Sequence, residues 1–505
     1  MSEGSDLQSL LSSAGLVFLG TVLASISRMV ERIVIARYLS PSAYGEVNIA
    51  LAILTLGSTI ALFGLNQGVT RYISRSDSER DVRGTWVTGL VVSEVICVGL
   101  VIVLFVGQNV LLQQLFDSDA SRRLLQLIIL ALPLVVGLEI GVSGIRGMEN
   151  TVYRIYAKNL AYPVSRIGLV VAVLLAGGTV ASLGYAYLLA AGIGFVTATL
   201  LFNRLFPILG VFRVRAVELM TFSAPLVLAT ILVTLLARTD TLMIGYFESS
   251  AAVGLYNAAY PLANTLVLLL ASFGFLFLPL ASRLDADGDR EELDEVYKIT
   301  TKWIFVLTFP VFLLFISFPA DIIGIFFGER YSVAGTALAI LSIGFFTNAA
   351  GGRNQETLSA LGYPKYNLLT NAAAFGLNIL LNIFLIPRYG FVGAAVASAV
   401  SYVLLNLLAL AILKRYFDIS PLSRWTTRTF LFLPLVLIPT SVVISAYVTL
   451  TVFTLPLVLA TFCLLTLVSV TAVGGVQSED RFLVEFVENR LGRDVPLIRE
   501  YIPDR

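Results

Sequence analysis

Ser40-Pro41-Ser42-Ala43-Tyr44-Gly45-Glu46-Val47-Asn48-Ile49-Ala50 reappears 209 residues later as Ser249-Ser250-Ala251-Ala252-Val253-Gly254-Leu255-Tyr256-Asn257-Ala258-Ala259. Without a gap, serine, alanine, glycine, asparagine and alanine coincide at 40/249, 43/252, 45/254, 48/257 and 50/259. Further along, Phe63-Gly64 recurs as Phe273-Gly274, Tyr153 and Tyr156 as Tyr363 and Tyr366, and Gly184 and Ala186 as Gly393 and Ala395. One near-constant offset held across four landmarks reads as an internal duplication.

The duplicated unit belongs in a membrane. Of the 505 residues, 57% are hydrophobic and 13% charged, against roughly 25% charged in an ordinary soluble protein. Such a chain cannot solvate its own surface, and apolar runs of about 20 residues, the length that crosses a bilayer, recur from end to end. We read about fourteen transmembrane helices from these runs. Each repeat holds about six of them, an even number, so both copies enter from the same face and are related by an axis along the membrane normal. The expected fold class is therefore an all-α integral membrane protein with two six-helix lobes in parallel pseudo-twofold repeat and two further C-terminal helices. The boundaries expected are 1–210 and 211–418 for the lobes, 419–475 for helices 13 and 14, and 476–505 for a tail.

Basic residues give the orientation, because lysine and arginine in short connections stay cytoplasmic. Connections after even-numbered helices hold most of them, among them Arg71, Arg75, Arg80 and Arg83 in the first and Lys414, Arg415, Arg424 and Arg428 in the last. Connections after odd-numbered helices hold only Arg37, Arg122, Arg123, Arg238, Arg330 and Arg388. Both termini are expected to be cytoplasmic. The first thirteen residues contain no basic residue and lead into a full-length apolar span, so the first helix is expected to remain in the mature chain.

Composition also removes functions. A net charge of +1 gives no field that would attract nucleic acid. The absence of histidine excludes hydrolytic triads and His-metal sites. Cys97 and Cys463 each sit in an apolar run and read as small hydrophobes, so no disulfide is expected. No G-x-x-x-x-G-K-[ST] loop occurs, so any transport is secondary or downhill, and neither cofactor nor metal is expected.

Ionisable groups inside spans cost about 2.5–3.5 kcal/mol on insertion scales and mark interior or wet surfaces. Arg28 and Arg32, four residues apart on helix 1, project from one face with Glu31 close by, and Arg166 lies in helix 5. One reading makes Arg28, Arg32 and Arg166 a cationic patch for a phosphate-bearing substrate, suited to forked guanidinium donors. The other makes them internal partners of Glu31, Glu94 and Glu139. Those three carboxylates are themselves candidates for coupling to a proton or sodium gradient, because low dielectric favours the protonated form. Asn378 and Asn382, a four-residue pair on helix 11, read either as sugar-binding amides or as interhelical hydrogen bonds.

Two segments bring a resemblance to a known family. They are Ala36-Arg37-Tyr38-Leu39-Ser40-Pro41-Ser42-Ala43-Tyr44-Gly45 and Arg238-Thr239-Asp240-Thr241-Leu242-Met243-Ile244-Gly245-Tyr246-Phe247, continuing through Val253-Gly254-Leu255-Tyr256-Asn257. Together with Phe327-Gly328-Glu329-Arg330-Tyr331 and Tyr389-Gly390-Phe391-Val392-Gly393, they resemble the polysaccharide transporters, or lipid-linked oligosaccharide flippases, of the multidrug/oligosaccharidyl-lipid/polysaccharide exporter superfamily. The resemblance implies a plasma-membrane protein that moves an isoprenoid phosphate- or pyrophosphate-linked glycan from the cytoplasmic to the outer leaflet. The heavy use of arginine over lysine points to a prokaryote, and proton or sodium is the ion that the carboxylates within spans would couple. Arg28 is the position that best matches the family's cavity arginines, while Arg37, Arg238 and Asp240 are landmarks of the pattern. Two other functions compete: a drug/cation antiporter of the same superfamily, for which twelve helices suffice, and a membrane glycosyl polymerase or ligase, which needs catalytic groups and a sizeable outer loop.

Overall fold

The computed structural model describes residues 3–118, 121–475 and 477. Every regular element among them is helical. The chain divides into two compact units, one running to Ala258 and including Ile379–Ala394, the other formed by Ala259–Asn378 and the chain from Ala395 onward.

The first unit begins with α1 (Glu3–Tyr38), α2 (Pro41–Leu62), the short α3 (Leu65–Ile73), α4 (Glu79–Val106) and α5 (Gln108–Leu115). It continues through α6 (Ser121–Gly147), α7 (Thr151–Arg154), α8 (Tyr162–Leu175), α9 (Val180–Leu205) and α10 (Ala216–Phe247), and into α11 (Ser250–Ala263). A π-helical turn, Ile155–Ala161, links α7 to α8.

The tightest seam of this unit joins α6 to α9. A Cβ on Gly141 would lie 2.9 Å from Ala198 Cβ, and one on Gly144 2.9 Å from Phe202 Cε2, so glycine is what lets the two helices close. Apolar tails are as attractive to lipid as to protein, and small residues that admit close van der Waals contact therefore select the partner.

The duplication is visible at atomic level. Ser40 caps α2 by accepting from the Ala43 backbone at 3.3 Å, and Ser249 accepts from the Ala252 backbone at 3.2 Å. Asn48 donates back to the Tyr44 carbonyl at 2.8 Å, and its repeat mate Asn257 donates to the Val253 carbonyl at 3.0 Å. The same serine cap and the same asparagine back-bond thus start both helices.

The second unit takes in α12 (Thr265–Asp287), α13 (Arg290–Ser317), α14 (Pro319–Phe327), α15 (Gly335–Gly351) and α16 (Asn354–Ala360). Then come α17 (Pro364–Ile412), α18 (Arg424–Tyr447) and α19 (Leu455–Ala472). α17 is two helices joined at Gly390, whose φ of 56° and ψ of −142° are non-helical and open to glycine but costly for other residues. Its segment Ile379–Ala394 belongs to the first unit.

The two C-terminal helices dock on α13. Phe305 stacks on Phe430 at 4.0 Å between centroids, Ser317 bonds Ser441 at 2.7 Å, and the Lys302 ammonium donates to the Gly475 carbonyl at 2.8 Å. Phe309, Phe312 and Phe346 extend this aromatic layer.

Among the described residues, eleven helical segments are long and apolar enough to cross a membrane. The fourteen expected are not reached by that count, although one segment, Pro364–Phe417, has 54 residues and breaks at Gly390. The apolar run 254–280, which reads in the sequence as one span, is α11 followed directly by α12; at Asn264 between them the backbone stays right-handed helical (φ −66°, ψ −14°) and its amide bonds the Tyr260 carbonyl at 2.9 Å. The expected tail lies outside the described residues apart from Gln477.

Candidate functional site

Within the first unit, Arg28, Glu31 and Arg32 of α1 lie near Arg166 of α8, with Tyr187 of α9 beside them. Glu31 is only 3% exposed, and both its oxygens are taken. Arg166 Nε donates to Oε2 at 2.8 Å, and the Tyr187 hydroxyl donates to Oε1 at 2.9 Å. The Arg166 guanidinium also lies over the rings of Tyr162 and Tyr187, 5.2 and 5.8 Å from their centroids.

Local sequence explains the placement. α1 packs against the π-helical turn and α8, where a Cβ on Gly20 would meet Ile155 Cγ2 at 3.2 Å, so α1 comes close enough for Glu31 to reach Arg166. A π turn widens the helix by one residue and re-aims the side chains beyond it, here Tyr162, Pro163 and Arg166.

Arg28 is exposed, with a hydrogen bond to Ser25 Oγ at 2.9 Å, and stands within electrostatic range of Arg166, Arg32 and Glu31. Arg32 is half-buried. Three guanidinium cations against one carboxylate leave this cluster with two net positive charges. Glu31 pairs with Arg166, whereas Arg28 is exposed and bonds Ser25. Arg166 is thus an internal partner of Glu31.

The remaining candidates are dispersed. Glu139 on α6 pairs with Lys158 at 2.7 Å, both partly exposed. Glu94 on α4 is half-buried and has no hydrogen-bond or ion-pair partner among the described residues. Asn382 is fully buried and donates to Asp240 Oδ1 at 2.7 Å. Asn378, also fully buried, belongs to the second unit and donates to Ser398 Oγ at 3.3 Å. Each amide is engaged with a protein group.

Tyr187, Tyr162 and Asp240 were missed as site residues by sequence reasoning. Tyrosines in membrane helices are common, and nothing in their spacing links them to Glu31. Asp240, read only as a landmark, is 2% exposed and accepts from both Tyr256 and Asn382. Its signal was available: an aspartate between two threonines within an apolar span.

Comparisons with known proteins agree with this architecture. The family described as polysaccharide biosynthesis protein matches residues 10–285, and the MatE family matches residues 225–384. The chain is 30% identical over 171 residues to an uncharacterized membrane protein, MJ1068, of Methanocaldococcus jannaschii, covering 33% of each chain. It is 27% identical over 163 residues to the probable low-salt glycan biosynthesis flippase Agl15 of Haloferax volcanii, covering 32% of this chain and 34% of that one. The matched stretch thus spans about a third of the length of these curated relatives. Among solved structures, the lipid II flippase MurJ in an inward closed conformation superposes with a TM-score of 0.70 at 13% identity, over 93% of this chain and 99% of that one. An inward-facing multidrug resistance MATE family transporter of the MOP superfamily gives 0.64 at 14% identity, over 76% and 92%.

Proposed function

Because the chain belongs to the polysaccharide biosynthesis protein family, we propose that it is a flippase. Its substrate is a glycan linked to an isoprenoid phosphate or pyrophosphate, carried from the cytoplasmic to the outer leaflet by alternating access. The observation that carries this reading is the cluster on α1 and α8, where Glu31 holds Arg166 and the net charge is positive. A pyrophosphate needs several N–H donors and a positive field, and charge-assisted bonds from arginine supply both. The name of the Haloferax volcanii relative, a probable glycan biosynthesis flippase, supports the same substrate class.

The lobes 1–210 and 211–418 would be the moving bodies, with both termini cytoplasmic in a prokaryotic plasma membrane. Of the three carboxylates considered for coupling, Glu31 and Glu139 are in ion pairs, so Glu94 is the one we assign to proton or sodium coupling.

A second reading, export of organic cations, has the MatE match over residues 225–384 in its favour. The positive cluster opposes it, since a cationic ligand would be repelled. Reconstituted protein tests the pair: a fluorescent polyprenyl-pyrophosphate sugar should change leaflet, and a cationic dye should not move. Dye export without lipid movement contradicts the flippase reading.

A further inference from the structure

At the end of α4 remote from the basic connection that precedes it, the chain turns through α5 and re-enters the membrane as α6. Beside α5 lies a half-open pocket of about 390 Å³, with exposed Asn109, Gln113, Asp117, Ser118 and Arg122 around buried Leu112 and Phe116. The volume falls in the range of small-ligand sites, roughly 300–1,000 Å³. Its chemistry departs from theirs, because the wall carries two amides, a carboxylate, a guanidinium and a hydroxyl with only two apolar side chains.

Such a wall rejects a lipid tail, which would leave every one of these groups without its water. Phosphate is not favoured either: Asp117 offsets Arg122, whereas the cluster around Arg28 keeps two net positive charges. What matches a mixture of donors and acceptors at short spacing is a ligand dense in hydroxyls, since each hydroxyl both donates and accepts.

Two of the exposed polar groups, Asp117 and Arg122, have defined partners. Asp117 accepts from the Ser250 backbone at 2.9 Å and donates its own backbone N–H to Ser250 Oγ at 3.3 Å. Arg122 donates to Asn109 Oδ1 at 2.7 Å, and Gln126 donates to Gln108 at 2.9 Å beside the cavity. Fixed side chains lose little rotamer freedom when a ligand arrives. The position of Arg122 is a further pointer, because it lies on the face where the connections are nearly free of basic residues. The positive-inside bias works against placing arginines there, yet two adjoin at Arg122 and Arg123.

We propose that the pocket beside α5 is a saccharide subsite on the outer face, which takes a neutral sugar residue of the translocated glycan. It is separate from the arginine cluster that receives the phosphate. This rests on the flippase reading, and the test keeps the two apart.

Saturation-transfer NMR on the full chain in nanodiscs would use methyl α-mannoside, methyl α-glucoside and methyl N-acetylglucosaminide, with methyl glucuronide as the charged comparison. At least one neutral glycoside should receive saturation, falling at least fivefold in Asn109→Ala and in Gln113→Ala, neither of which touches the Asp117–Ser250 contact. Arg28→Ala should leave that signal unchanged. Absence of transfer to every neutral glycoside, or full transfer in the Asn109→Ala/Gln113→Ala double variant, overturns the proposal. A wild type that binds glycosides through these residues yet fails to translocate any lipid-linked sugar retains the subsite and refutes the flippase reading instead.

Discussion

Gly45 of α2 and Gly254 of α11, repeat mates 209 residues apart, pack against each other's helix starts with backbone on backbone. A Cβ on Gly45 would lie 1.7 Å from the Ser250 carbonyl oxygen, and one on Gly254 2.0 Å from the Pro41 carbonyl oxygen. The Tyr44 hydroxyl reaches the Asn257 carbonyl at 3.3 Å across the same crossing. The segment that reveals the duplication is thus also the place where its two copies touch.

Gly45→Ala and Gly254→Ala should each destabilise the protein by at least the ~1–3 kcal/mol typical of overpacking, because the obstructing atoms are backbone and cannot rotate away. Gly168→Ala and Gly376→Ala, where nothing lies within 4 Å, should be neutral or gain up to ~1 kcal/mol from helix propensity. Thermal unfolding of the purified variants compares the four; equal behaviour would refute the close crossing.

Removing one partner of the Glu31–Arg166 pair should be severe. Arg166→Ala leaves a carboxylate that is 3% exposed, with Tyr187 its one remaining donor among the described residues, and breaking a buried pair costs about 3–5 kcal/mol. Tyr187→Phe deletes a single hydrogen bond to a charge and should cost about 1.5–3 kcal/mol. The Glu31→Leu/Arg166→Leu double variant should be less destabilised than the sum of the singles. A double-mutant cycle on unfolding midpoints measures the coupling.

Asn382→Leu takes one donor from Asp240, and Tyr256→Phe takes a second. Each should cost about 1.5–3 kcal/mol as a lost hydrogen bond to a buried carboxylate. Unfolding midpoints decide this; a folded Asn382→Leu variant as stable as wild type contradicts it.

The orientation read from the arginines predicts thiol accessibility. In a background with Cys463 replaced by serine and the buried Cys97 retained, Gln114→Cys on α5 should react with an impermeant maleimide on intact cells. Asp77→Cys, before α4, should react only after permeabilisation. The reverse pattern would invert the topology.

Much of the fold was legible because bilayer physics leaves strong marks: span length, apolar composition and the segregation of arginine are properties of sequence alone. The repeat was legible because Ser40/Ser249 and Asn48/Asn257 perform the same capping task twice. The local irregularity at Asn264 between α11 and α12 was not, since the apolar run continues on both sides of it. The site was half legible. Arg28, Glu31 and Arg32 share a helix, and their spacing gives their face, but the contact of Glu31 with Arg166 spans 135 residues and that of Asn382 with Asp240 spans 142. No local pattern encodes which buried carboxylate an arginine or amide will find.

The central claim, a positively charged site for the phosphate of a lipid-linked glycan, is tested most directly by translocation in proteoliposomes of a fluorescent polyprenyl-pyrophosphate sugar, with wild type beside Arg28→Ala and Arg28→Lys. Wild type should move the lipid between leaflets. Arg28→Ala should slow it at least tenfold, as expected for a lost charge-assisted contact of about 1.5–3 kcal/mol, and Arg28→Lys should recover only part. Translocation undiminished in a folded Arg28→Ala variant, or none by wild type with any lipid-linked sugar, would contradict the account.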